Sequence, residues 1–168
     1  MIDFDLLCKI AEYAKGHCET SYLLYQGRGA KKDKIFINCL NGKIAEYCLY
    51  FYLKKQNYQL KPPDINIHTN KSYDSDLIAT GKNNVILENP INLHVKSMSL
   101  EAISRTGRSV VFQKNDPIII KPNKNDFIVL MEQVSFLEYK IHRMINSTDA
   151  EYLPTMNNAP SKCAIYAD

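Results

Sequence analysis

The sequence predicts an α/β domain with a mixed central sheet covered by helices. Three observations carry this reading. Apolar residues recur at helical spacing in the first third of the chain, short apolar runs bounded by Pro, Gly and Asn fill the middle, and a helical stretch interrupts those runs near residue 100. At 168 residues the chain suits one domain with a real core. That domain is expected over residues 1–146, with 147–168 as an extension that docks loosely, because NSTDAEYLPTMNNAPSKCAIYAD loses apolar periodicity.

The first helix is expected in DFDLLCKIAEYAK, where Phe4, Leu7, Ile10, Ala11 and Ala14 fall on one face and Gly16 is a plausible stop. QGRGAKKDK reads as a basic loop in which Arg28, Lys31, Lys32 and Lys34 are candidate phosphate contacts. IFINCL is apolar but too short to assign as strand or helix. A second helix then starts after Gly42, in GKIAEYCLYFYLKKQNY. Nearly every side chain from Ile44 to Leu53 is apolar or aromatic, so this helix is buried on most sides. Glu46 is the one carboxylate within that run, and a buried charge demands a partner, water or a metal.

Strands are expected in PPDINIHTN, in the stretch leading to LIATG with Asp74 and Asp76 two apart, and in INLHVKS. Period two places His94 and Lys96 on one face of the last of these and Leu93 and Val95 on the other. SLEAISRTGR should be a short helix capped by Ser99 and ended by Gly107. SVVFQ, PIIIK and DFIVLM read as strands, and QVSFLEYKIHRMI as an amphipathic C-terminal helix.

Composition narrows the function classes little. A net charge of +3 permits nucleic acid without demanding it. Five scattered cysteines offer no paired C-x-x-C zinc site and suggest reduced thiols in an intracellular, cytoplasmic protein. No run approaches the length of a membrane span, and the acidic N-terminal MIDFDLLCK is unlike a signal peptide, so no membrane is expected.

An ammonium beside an imidazole calls for an anion between them. Asp76 opening one strand, Lys96 in the next and Glu46 upstream in a buried helix suit phosphodiester hydrolysis, where carboxylates hold divalent ions and a cation stands close to the phosphate. In order and spacing, G-K-I-A-E (42–46), Y-D-S-D-L (73–77), L-H-V-K-S (93–97) and R-T-G-R-S-V-V-F-Q (105–113) resemble the PD-(D/E)XK nuclease superfamily. The resemblance covers about residues 40–130 and implies a restriction-endonuclease-like fold, Mg²⁺ (or Mn²⁺) as cofactor, DNA as partner and a homodimer. It makes Glu46, Asp76 and Lys96 catalytic, with Asp76 and Glu46 as metal ligands, Asp74 as the other candidate for a second carboxylate, and the Val95 carbonyl as a further ligand. His94, the fourth candidate catalytic residue, stands where the family usually carries an acidic residue, and is expected to be neutral or to point away from the ion and to contact phosphate or water. Gln113 is a further candidate for the nucleic-acid contact. The alternative is a nucleic-acid-binding or protein-binding module that keeps the fold without cutting.

Overall fold

A computed structural model describes residues 1–24, 31–67, 75–154 and 162–166. Arg28 and Asp74 lie outside the described residues, so their expected roles are not placed. Two long helices, α1 (Phe4–Leu24) and α2 (Lys32–Lys55), open the chain. Strands β1 (Tyr58–Leu60), β2 (Leu77–Lys82) and β3 (Val85–Met98) follow, then helix α3 (Leu100–Thr106), strand β4 (Ser109–Gln113) and the single turn α4 (Pro117–Ile120). A long hairpin of β5 (Asp126–Ser135) and β6 (Glu138–Asn146) precedes two short strands, β7 (Leu153–Pro154) and β8 (Lys162–Tyr166).

Five strands form a mixed sheet in the order β1-β2-β3-β5-β6, in which β3 and β5 run parallel and the other neighbours antiparallel. One face packs on α1 and α2 through Leu93, Val95, Val129 and Met131 against Ile10, Ala14, Ile44 and Leu49. The other face presents Met98, Ile128, Leu130 and Ile145 to a second, three-stranded sheet in the order β4-β8-β7, with Ile103 of α3 and Ile119 of α4 at its margin. The domain is therefore mixed α/β, as expected. Among the described residues no helix is long and apolar enough to cross a membrane.

Several elements differ from expectation for identifiable reasons. Helix α1 runs through Gly16, where an added Cβ would lie 2.1 Å from Ile67 Cδ1, so this glycine accommodates a crossing segment. Helix α2 begins at Lys32 and absorbs residues 35–40, with Asp33 complementing the dipole at its start and Lys54 and Lys55 at its end. The expected strand at 62–70 is irregular over residues 61–67. There Asp64 turns the chain by accepting from the Asn66 amide, and the Pro63 carbonyl accepts from the Tyr47 hydroxyl. PIIIK folds as α4 because Asp116 caps it and Pro117 occupies its first position, a start signal that outweighs the β-propensity of three isoleucines.

The expected C-terminal helix at 133–145 is instead the end of β5, a turn and most of β6. Val134, Leu137, Ile141 and Met144 imitate a helical stripe, yet three of them are exposed, and the residues actually buried are Tyr139 and Ile145. Residues 162–166 also depart from a loosely docked extension. Strand β8 is the middle strand of the second sheet and buries Cys163, Ala164 and Ile165. The α3 expectation holds: Ser99 Oγ accepts from the Ala102 amide, and Gly107 at φ 68°, ψ −170° ends the helix in a conformation open to glycine alone.

Gly42 sits inside α2 with nothing within 4 Å of an added Cβ. Replacing it with Ala should raise stability by about 0.5–1 kcal/mol through helix propensity. Urea denaturation of Gly42→Ala measures this, and a loss of stability would mean the site is tighter than its geometry.

Candidate functional site

Strand β2 begins at Leu77, which lies opposite Leu93, while β3 continues past that pair to Met98 with β5 alone beside it. From Val95 onward β3 therefore has an open edge. The amide and carbonyl of one strand residue project to the same side, so Val95 turns both toward that edge. Asp76, immediately before β2, fills the place of the absent ladder partner. Its Oδ2 accepts from the Val95 amide at 2.7 Å.

Glu46 approaches from α2 and is 8% exposed. Its Oε2 lies 2.5 Å from the Lys43 ammonium, one helical turn earlier, and that ammonium is 4.9 Å from the centre of the Tyr13 ring on α1. Tyr13 in turn stacks on His17. Burial, then the Asp76 charge, pushes the Glu46 carboxyl up to about 8, against the opposing pull of Lys43 and Lys96. Asp76 is also raised, by burial above all, although the Val95 hydrogen bond, Lys96, Lys43 and His94 favour its charged form. Burial works against the Lys43 ammonium, but the charge and hydrogen bond of Glu46, with Tyr13 and Asp76, hold it above the ordinary lysine range.

His94 and Lys96 occupy the opposite face of β3 from Leu93 and Val95. They stand in register with Ile128 and Leu130, so they look toward the second sheet. The Lys96 ammonium lies 5.1 Å from the centre of the Phe112 ring. It remains close enough to Asp76 and Glu46 to lower both. Burial depresses the His94 imidazole despite Asp76 and Asp126, which favours its neutral form. A cavity of about 270 Å³ opens beside this edge, lined by Lys96, Ser97, Ala102, Ser109 and Val111 among others.

Glu46 from the helix side and Lys96 from the opposite face of β3 are both coupled electrostatically to Asp76 at the strand edge, and His94 also acts on Asp76. The remaining candidates lie elsewhere. Lys31, Lys32 and Lys34 are exposed at the start of α2, about 21 Å along the helix from Glu46. Gln113 is exposed on the outer face of β4, opposite the buried Phe112, and does not point toward Lys96. Lys43 was missed as a site residue, although its three-residue spacing from Glu46 puts the two on one helical face. A second buried carboxylate, Glu132 on β5, was also missed. Arg108, Lys140 and His142 surround it, and the Arg108 hydrogen bonds hold its pKa below the usual range. Its partners come from the turn after α3 and from β6, which makes it a brace between elements.

Among the described residues no three His, Cys, Asp or Glu side chains gather as a metal-binding group. The donors that the sequence names here are hard oxygens: the Asp76 and Glu46 carboxylates, which are coupled electrostatically, and the Val95 carbonyl at the open edge. This chemistry fits Mg²⁺ or Mn²⁺, which take few protein oxygens and complete their shells with water and phosphate. The Lys43 contact on Glu46 is what an ion would have to overcome. Compared with known proteins, the chain matches no family model, no curated protein and no solved structure.

The raised carboxyls give a pH signature. Glu46 ordinarily titrates near 4.5 and in the fold near 8, so the folded state holds its proton more tightly. The resulting stability is complete below about 4.5 and is lost as pH rises toward 8, and Asp76 adds to it with the same sign. Thermal unfolding of the metal-free protein should therefore shift to lower temperature between pH 5 and pH 8. Glu46→Gln should flatten that decline; an unchanged slope would place the titration elsewhere.

Proposed function

We propose that this protein is a metal-dependent nuclease that hydrolyses DNA phosphodiester bonds, on a restriction-endonuclease-like domain. The observation that carries the reading is the Asp76 carboxylate held at the open edge of β3, coupled electrostatically to Glu46 of α2 and to Lys96 of β3. A mixed sheet with a buried helix supplying the glutamate supports the same assignment. Asp76 and Glu46, with the Val95 carbonyl, would hold Mg²⁺ or Mn²⁺, which supplies Lewis-acid polarisation of the phosphate and activation of water.

The protein's own groups do the rest. The Val95 amide fixes one Asp76 oxygen and aims the other away from it. Lys96, an ammonium resting on an aromatic face beside a cavity, steadies the charge that develops on the phosphate or orients the attacking water. Neutral His94 donates to phosphate or water without adding to the repulsion around a cation. The basic cluster at the start of α2 tracks the backbone of a duplex extending from the site. One such centre cuts one strand, so double-strand cleavage calls for a homodimer.

A second reading is favoured by two observations. Lys43 occupies Glu46, and His94 replaces the usual acidic residue, an arrangement that suits a module that binds DNA or protein without cutting. Incubating plasmid and linear DNA with Mg²⁺ or Mn²⁺, and with chelator, separates the two. Ion-dependent nicking supports the nuclease; binding without cleavage supports the module.

On the nuclease reading, Lys96→Ala, Asp76→Asn and Glu46→Gln should each lower cleavage by about a hundredfold or more at saturating Mg²⁺, while staying folded by circular dichroism. His94→Ala should cost less than about tenfold. A dead His94→Ala beside an active Glu46→Gln would show that the ion is held by other residues. Changing Lys31, Lys32 and Lys34 together to Gln should reduce the salt slope of DNA binding by about 2 to 3. An unchanged slope would make these lysines plain solvated surface.

A further inference from the structure

Lys43 is a buried ammonium held in three ways. Its side chain is 9% exposed, its Nζ meets Glu46 Oε2, and the Tyr13 ring of α1 lies beneath it at 4.9 Å. Glu46 is buried, and the Asp76 charge adds to the cost of ionising it, so a carboxylate here calls for a cation beside it. Lys43 is that cation for Glu46, and Asp76 also feels it. A buried ion pair of this kind adds little net stability over apolar residues of the same volume, which leaves its placement on this particular carboxylate to be explained.

We propose that Lys43 is a latch on the ion site: its ammonium occupies the Glu46 oxygen that a divalent cation would take, and an ion enters by displacing it. The proposal rests on the reading of Glu46 and Asp76 as ion-holding residues. An ammonium and a divalent cation compete for the same oxygen, because two cations on one carboxylate oxygen in a partly dry site repel strongly. The Tyr13 face gives the displaced ammonium a nearby seat, since a cation over an aromatic ring keeps part of its stabilisation without a carboxylate. Displacement also changes the charge balance. An added divalent ion brings two positive charges to a site that already holds the Lys43 and Lys96 ammoniums, for an anionic backbone to meet. Ion and polyanion then reinforce each other's binding.

Calorimetric titration of MnCl₂ into the full chain tests the latch without reference to cleavage. Lys43→Met should bind Mn²⁺ about tenfold or more tightly than wild type, the scale of one charge-assisted contact removed from competition. Lys43→Arg, which keeps the charge and grips a carboxylate with two donors, should bind more weakly than wild type, and it serves if Lys43→Met fails to fold. Glu46→Gln should abolish binding. Equal affinity in wild type and both Lys43 variants, with loss in Glu46→Gln, overturns the latch while leaving the ion site standing. Mn²⁺ binding by none of the folded variants overturns the ion site and the latch with it.

Discussion

The hydrogen bond from the Val95 amide to the Asp76 carboxylate is the constraint around which the site is arranged. A strand that outruns its neighbour leaves polar main-chain groups to be satisfied, and inside a domain an unmet amide is costly. The carboxylate of Asp76 meets that need, and in doing so it is carried off the surface and aimed along the sheet edge. Placement of an anion here thus follows from the mismatch in length between β2 and β3. Once it is there, the groups that surround it, Lys96 across the strand and Lys43 from the helix, follow as counter-charges.

The protein buries charge where apolar side chains would pack as well. On the helix side of the sheet, Ile44, Leu49, Val95 and Val129 form a continuous core, yet Lys43 and Glu46 lie within the same helical stretch. Such a pair contributes modestly to stability and makes each partner dependent on the other. Glu132 shows the contrasting arrangement. Arg108, Lys140 and His142 from neighbouring segments surround it, and the Arg108 hydrogen bonds above all lower its pKa, as expected for a carboxylate recruited to hold elements together. Glu46 is paired with Lys43, yet burial above all, and then the Asp76 charge, raises its pKa. The two environments separate a bracing carboxylate from a poised one.

Much of the site was legible in the sequence because it rests on local rules. Alternation along INLHVKS placed His94 and Lys96 on one face, and the single glutamate in an apolar helix marked Glu46. Ser99 and Gly107 bounded α3 through capping chemistry. What was not legible depended on partners distant in the chain. The stripe at 134, 137, 141 and 144 satisfies a helical period by coincidence, and only pairing with β5 shows that Tyr139 and Ile145 are the buried set. Residues 162–166 carry the weak signal of a short strand, and their value lies in joining β4 to β7. Lys43 escaped notice because a lysine near a helix start reads as solvated until Tyr13 of another helix covers it. Gln113 was misjudged by direction: the outward face of β4 is invisible until Phe112 is seen to point inward.

The central position of β8 sets the order in which the domain can be assembled. Val111 of β4 pairs with Ala164, about fifty residues further along the chain, whereas β5 and β6 close through a tight turn. Local hairpins form early, and contacts between distant segments wait for the entropy of a long loop to be overcome. The five-stranded sheet and its helices can therefore come together while Ile128, Leu130 and Ile145 still face water on the other side. During that interval the half-built molecule carries a sticky apolar surface flanked by the unpaired edge of β4, the kind of intermediate that aggregates when crowded. Fast capture of the β8 segment is then a matter of kinetic survival for the chain, quite apart from what the strand adds to the finished fold.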